Sequence, residues 1–210
     1  INYLDFQAQL KLGGKAVIHL AGKAHDLKKV SKPEEYYEVN FELVKRVFND
    51  FLKSNASTFI FLSTIKAVAD KVEGVLTEDS FPNPKTHYGI AKLKAEKYIL
   101  SQELPHGKQV YILRPCMIHG PGNKGNLNLL YQLVSKGLPW PLGDFDNQRS
   151  FCSIENLCFV IKELLSQNDI LSGIYNVADD TSLSTNELIQ LIAASHNKRA
   201  KILRIPKGLI

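Results

Sequence analysis

A phenol and an ammonium four residues apart can share one face of a helix, and Tyr88-Gly89-Ile90-Ala91-Lys92 spaces them so. A phenol titrates at about 10, too high for ready proton exchange at neutral pH, and a nearby cation lowers it by stabilising phenolate. Such a pair suits proton transfer to or from a hydroxyl or carbonyl oxygen. The spacing alone says little: with eight tyrosines in the chain, chance supplies about one such pair. Ser63-Thr64 adds two hydroxyls at the end of an apolar run. Taken singly, these residues read equally well as a solvated helix face and an ordinary loop.

What decides between the readings is whether the elements around them converge. Residues 16–21, 58–63 and 110–113 are short apolar runs, closed by Gly22, by Ser63-Thr64 and by Arg114-Pro115, as buried strands are. Residues 34–52, with Tyr37, Phe41, Val44, Phe48 and Phe51 at helical spacing, and residues 88–102 read as helices. Strand and helix alternating at this spacing predict an α/β fold, a parallel sheet with crossover helices. Ligands of such sheets gather beyond the carboxyl ends of the strands. Gly22-Lys23-Ala24-His25, Ser63-Thr64-Ile65-Lys66 and the stretch from Pro115 to Asn126 all lie there.

After Pro115 glycine and proline cluster, and helices are expected over 126–136, 154–166 and 185–195 around one short strand, 173–177. Ser184 and Glu187 have the spacing of a capping box for the last helix. The chain therefore reads as a sheet domain, 1–115, carrying the catalytic residues, and a smaller, mostly helical lobe, 116–210.

With 44% hydrophobic and 22% charged residues over 210 positions, the chain has a globular composition and enough length for a real core, not that of a disordered or coiled-coil protein. Charged and polar residues interrupt every apolar run well short of the ~18–20 residues a membrane span needs. The start, Ile1-Asn2-Tyr3, shows no signal-peptide pattern. Cys116, Cys152 and Cys158 are odd in number and form no C-x-x-C, which points to reduced thiols in the cytoplasm. No histidine motif suggests a metal. A net charge of +5 suits an anionic ligand, but no zinc-finger spacing, aromatic RNA-binding strand or arginine-rich arm suggests nucleic acid.

In order along the chain, Val17-Ile18-His19-Leu20-Ala21-Gly22, Val39-Asn40, Phe61-Leu62-Ser63-Thr64, Tyr88-x-x-x-Lys92, Leu113-Arg114-Pro115 and Gly120-Pro121-Gly122 resemble the extended short-chain dehydrogenase/reductases. More narrowly they resemble the NAD-dependent epimerase/dehydratase family acting on nucleotide sugars. The resemblance implies a Rossmann-type sheet binding NAD or NADP, a C-terminal lobe for the sugar nucleotide and a homodimeric whole. It casts Tyr88 as acid/base catalyst, with Lys92 lowering its pKa and holding the nicotinamide ribose. Thr64 would hydrogen-bond the reacting sugar oxygen. Leu20, Ala21, Gly22 and Lys23 would line the cofactor together with Ser63 and Pro115. Arg149, in Gln148-Arg149-Ser150-Phe151, would grip the nucleotide diphosphate, where a forked cation suits paired oxygens. Asn126 would contact the same ligand.

The implied reaction is 4-epimerisation of a UDP-hexose or UDP-N-acetylhexosamine through a 4-keto intermediate, in surface-polysaccharide synthesis. A 4-keto-sugar reductase needs the same three residues and stays open, as does a non-catalytic relative that keeps the fold for binding. Ile65-Lys66 stands where dehydratases of the family carry Asp-Glu, which argues against dehydration. Ala67-Val68-Ala69, Met117 and His119 also depart from the usual pattern. Of these, Met117 together with Ser63-Thr64-Ile65-Lys66 resembles a bacterial surface-polysaccharide branch. The family's G-x-x-G-x-x-G loop has no counterpart, since Gly13-Gly14 precedes the wrong strand. With it go the phosphate-binding helix start and the residue separating NAD from NADP. Against the family pattern the cofactor domain is expected to be N-terminally incomplete by roughly 50 residues, and the lobe C-terminally incomplete.

Overall fold

A computed structural model describes residues 14–24, 32–122, 126–145, 147–205 and 208; Gly13, His25 and the side chain of Asn126 lie outside it. The apolar runs form β1 (Ala16–His19), β2 (Thr58–Leu62) and β3 (Gln109–Pro115), and residues Gly173–Val177 form a strand labelled β6 here. They make one sheet in the order β1-β2-β3-β6 with every pair parallel. Parallel neighbours require crossovers that cover the faces, which is why β2 and β3 are almost unbroken hydrophobic runs.

The register aligns Val17, Phe59 and Val110 in one row and His19, Phe61, Ile112 and Ile174 in another. This face packs on α2 (Leu43–Lys53) through Val44, Val47, Phe48 and Phe51, and on α3 (His87–Leu100) through Ala95 and Ile99. The Phe48 ring meets Phe59 edge-on at 4.9 Å and Phe51 lies 5.2 Å from Phe59. Each fully buried ring contributes about 1.5–3 kcal/mol by leaving water.

Three features differ from expectation. The helix foreseen over 34–52 is α1 (Pro33–Tyr37), a π-helical turn (Glu38–Glu42) and then α2. The wider turn coincides with Asn40, whose side chain is fully buried and bound to backbone elsewhere; such turns recur at functional sites. β3 runs on through Arg114 and Pro115, which the sequence read as its stop; Pro115 ends the strand, pairing with Val177. Finally, β6 was expected within the helical lobe but pairs with β3 along its length, Tyr111 opposite Gly173 and Pro115 opposite Val177.

The chain accordingly divides into two compact units. The first holds the described residues up to Cys116 and takes back Leu157–Val177, whereas the expected cut at 115 was single. The second holds Met117–Asn156 and the described residues from Ala178 on. In it β4 (Met117–His119) and β5 (Phe151–Ser153) form a two-stranded parallel sheet. Its helices α4 (Asn126–Ser135) and α6 (Thr185–Ser195) share a core of Val134, Ile189, Ile192 and Ala193. α5 (Ile154–Ser166) begins in this unit and continues into the first. The capping box at α6 is complete: Glu187 N donates to Ser184 Oγ at 3.1 Å, and Ser184 N to the Glu187 carboxylate at 2.7 Å. Among the described residues no helix is long and apolar enough to cross a membrane. None of the three cysteines is in a disulfide.

Candidate active site

Helix α3 starts where the sequence has Thr86, whose hydroxyl accepts from Gly89 N at 3.2 Å. Gly89 is obligatory for another reason. A β-carbon there would run into the Lys66 carbonyl oxygen and come within 3.0 Å of Pro84 Cβ. The missing side chain lets the first turn of α3 lie against the 3-10 turn Ile65–Ala67 that follows β2. Thr64 immediately precedes that turn, and Tyr88 immediately precedes Gly89. Tyr88 and Thr64 consequently stand next to one another.

Burial pushes the Tyr88 phenol above its ordinary value, and a hydrogen bond with the Thr64 side chain pulls it partway back. The expected depression by Lys92 is not what sets this phenol. Lys92 turns to the strand instead: its Nζ donates to the Leu62 carbonyl at 2.8 Å and lies 4.6 Å from the centre of the Phe61 ring. The side chain is 2% exposed, and burial lowers its pKa to about 8 against an opposing pull from Glu96.

At the end of β1, Leu20, Ala21 and Gly22 are exposed. A β-carbon on Gly22 would stand 3.2 Å from Asn40 Oδ1 and 3.3 Å from Lys92 Nζ, so this glycine keeps the approach to Lys92 open. Asn40 clasps the next residue: Lys23 N donates to its Oδ1 at 2.9 Å and its Nδ2 donates to Lys23 O at 3.1 Å. Lys23 Nζ pairs with Glu35 and lies over the Tyr36 ring. An exposed apolar shelf, a glycine without which the shelf would close, and a buried ammonium fit the nicotinamide end of a dinucleotide.

The structure thus brings together Gly22, Thr64, Tyr88 and Lys92, with Leu20, Ala21 and Lys23 adjoining along the chain. Ser63 stands in the same cluster, but its hydroxyl donates to Glu96 inside the protein. Pro115 is buried one strand further along. Glu96 and Arg114 hold that interior; Glu96 was not singled out from the sequence, and Arg114 only as a strand stop and part of the family pattern. An ion pair between a helix and a strand leaves no periodic trace.

Arg149 and Asn126 belong to the second unit, Asn126 as the first residue of α4. Arg149 is fixed by backbone, donating from N to Leu183 O at 3.0 Å and accepting from Leu183 N at 2.9 Å. Its side chain lines a cavity of about 430 Å³ walled by Met117, Leu130, Trp140, Phe145 and Leu188. In the same unit, and unforeseen, His119 Nε2 lies 3.1 Å from Asp179. Ser153 N and Asn156 Nδ2 also donate to that carboxylate and help hold it below its usual range.

A parallel sheet with a Thr hydroxyl past one strand and Tyr-x-x-x-Lys on the next helix defines the short-chain dehydrogenase/reductase class. The chain belongs to the NAD dependent epimerase/dehydratase family, whose model matches residues 5–178. It is 33% identical over 211 residues to a UDP-glucose 4-epimerase of Vibrio cholerae, covering 96% of this chain and 63% of that protein. It is 25% identical over 202 residues to the GDP-6-deoxy-D-mannose reductase of Pseudomonas aeruginosa, covering 91% of this chain and 66% of the reductase. Its fold superposes on the UDP-N-acetylglucosamine 4-epimerase of Bacillus cereus with a TM-score of 0.81 at 23% identity, covering 96% of this chain and 69% of that one. The chain spans less than two thirds of the length of the Vibrio and Pseudomonas proteins.

Proposed function

We propose that the intact protein is an NAD(P)-dependent 4-epimerase of a UDP-linked hexose or N-acetylhexosamine, working through a 4-keto intermediate in surface-polysaccharide synthesis. The arrangement that carries this reading is Tyr88 next to Thr64, one turn ahead of buried Lys92, whose Nζ comes up to the exposed Gly22.

Leu20, Ala21, Gly22 and Lys92 would hold the nicotinamide end of the cofactor, with Lys23 beside them. When bound, that group supplies the hydride acceptor and donor for the sugar carbon. Thr64 would hold the sugar 4-oxygen by a hydrogen bond. Tyr88 would remove the hydroxyl proton on oxidation and return it on reduction. Burial keeps the resting phenol protonated, so its acid form is the ground state, and the hydrogen bond with Thr64 favours the phenolate when it forms. Arg149, and Asn126 with it, would bind the diphosphate of the sugar nucleotide. The reading makes the intact protein a cytoplasmic homodimer that needs neither nucleic acid nor membrane. Cysteines outside any disulfide fit a reducing compartment.

Similarity to a reductase over 91% of the chain supports a second reading, a 4-keto-sugar reductase in which Tyr88 only donates. Product analysis separates the two. Inverted sugar without net cofactor consumption means epimerase, and one reduced cofactor oxidised per sugar means reductase. Tyr88→Phe is expected to lower kcat by about 10²–10⁴-fold. Wild-type turnover in that variant, measured on folded protein, would remove the catalytic reading altogether.

A further inference from the structure

Three successive turns of α3 grip three successive residues at the end of β2. Tyr88 stands next to Thr64, Lys92 Nζ holds the Leu62 carbonyl, and Glu96 takes the Ser63 hydroxyl. Glu96 is itself clamped from β3: Arg114 Nε donates to it at 3.0 Å and Nη2 at 2.6 Å, a two-pronged ion pair. Ser63 N donates to Leu113 O at 2.7 Å, so the same short segment is also tied to β3 by backbone. Ser63, Lys92, Glu96 and Arg114 are all at least 96% buried. A structural ion pair alone has no need of a serine from the strand that ends in the reacting hydroxyl, nor of a place one turn from the buried ammonium.

We propose that Glu96 is a positioning residue for the Tyr88–Lys92 pair: held by Arg114, it anchors Ser63 and hence Thr64, and it supplies the counter-charge for the Lys92 ammonium. The inference rests on the reading of Tyr88, Thr64 and Lys92 as catalytic. Burial pulls Lys92 towards its neutral form and Glu96 opposes that pull, leaving it at about 8. From the other elements, β1 presents His19, which burial and the Lys92 charge keep neutral, and the π-helical turn presents the uncharged Asn40. Arg114 meets the cluster through Glu96.

Removing Glu96 alone would leave the Arg114 cation buried and unpaired, which unfolds many proteins. The test therefore uses the double variant Glu96→Gln/Arg114→Gln in the intact protein, with melting temperature as the check on folding. Lys92 is followed by NMR of ε-¹³C-lysine-labelled protein without cofactor, and kcat is followed against pH. An opposite charge nearby is worth roughly one pKa unit or more, less what loss of the more distant-acting Arg114 cation gives back. The Lys92 titration should fall from about 8 by about that much, and the alkaline limb of kcat should fall with it. Ser63→Ala, which keeps both charges, should leave the Lys92 titration in place and lower kcat about tenfold with KM unchanged, because only the Thr64 anchor is lost.

If the folded double variant titrates like wild type and its kcat profile does not move, while Tyr88→Phe is dead, the role of Glu96 is overturned and the catalytic reading stands. If Tyr88→Phe is fully active, the catalytic reading fails. The cofactor-free Lys92 titration then still decides whether Glu96 sets that ammonium.

Discussion

His19 illustrates how a single buried residue can dominate the acid side of a stability profile. Its ring is stacked on Phe59 and tilted against Phe61, 6% exposed, with Nε2 buried and without a partner among the described residues. Burial first, and the Lys92 charge second, lower its pKa to about 4 from an ordinary 6.5. Between those values the unfolded chain binds a proton that the fold refuses, so stability rises with pH across the window. This contribution is complete above 6.5 and is lost as the pH falls towards 4, by about 3 kcal/mol for the whole shift. His19→Leu should therefore flatten urea-unfolding stability between pH 6.5 and 4 relative to wild type; parallel curves would rule the mechanism out. The sequence showed His19 only as one polar letter in an apolar strand. Its protonation state depends on Phe59, Phe61 and Lys92, which pattern cannot bring to one spot.

At the scale of elements, α3 is where local signals and the site agree. Thr86, Gly89 and the Tyr-x-x-x-Lys spacing are consecutive choices that start the helix, allow it to touch the turn after β2, and aim its phenol. Gly89→Ala inserts a β-carbon against the Lys66 backbone, and should cost about 1–3 kcal/mol, the usual penalty for overpacking. Thr86→Ala should cost about 1 kcal/mol through the lost cap. Thermal melts would measure both. Only Gly89→Ala, by shifting Tyr88 from Thr64, should also lower turnover on a folded sample. The parallel strands and most helices were legible because β2 and β3 are short unbroken apolar runs and the aromatic stripe of α2 repeats with a helical period. β4 and β5, three residues each, are too short to carry a period. The π-helical turn left an ordinary helical pattern because Phe41 still packs against the core.

For the whole molecule, the two compact units suggest a division of labour that one fluorophore can follow. Trp140 is the single tryptophan in the 210 residues and lines the cavity shared with Arg149. UDP should change its emission saturably. Arg149→Ala should weaken that binding about 10–100-fold, the worth of one or two charged hydrogen bonds at 1.5–3 kcal/mol. Tyr88→Phe should leave it unaltered, and an Arg149→Ala titration identical to wild type would detach Arg149 from the ligand. The sequence located both groups of residues but drew one boundary at 115, because a strand such as Gly173–Val177 announces itself without announcing its neighbour. That neighbour is β3, and the pairing sets an order of assembly. As the chain leaves the ribosome, β1, β2 and β3 can associate early, yet β3 keeps one edge bare until residue 177 has emerged. By then the leading segment of the second unit is already made. Synthesis stalled anywhere between 116 and 172 would therefore present an open strand edge, the form most prone to pairing with another chain.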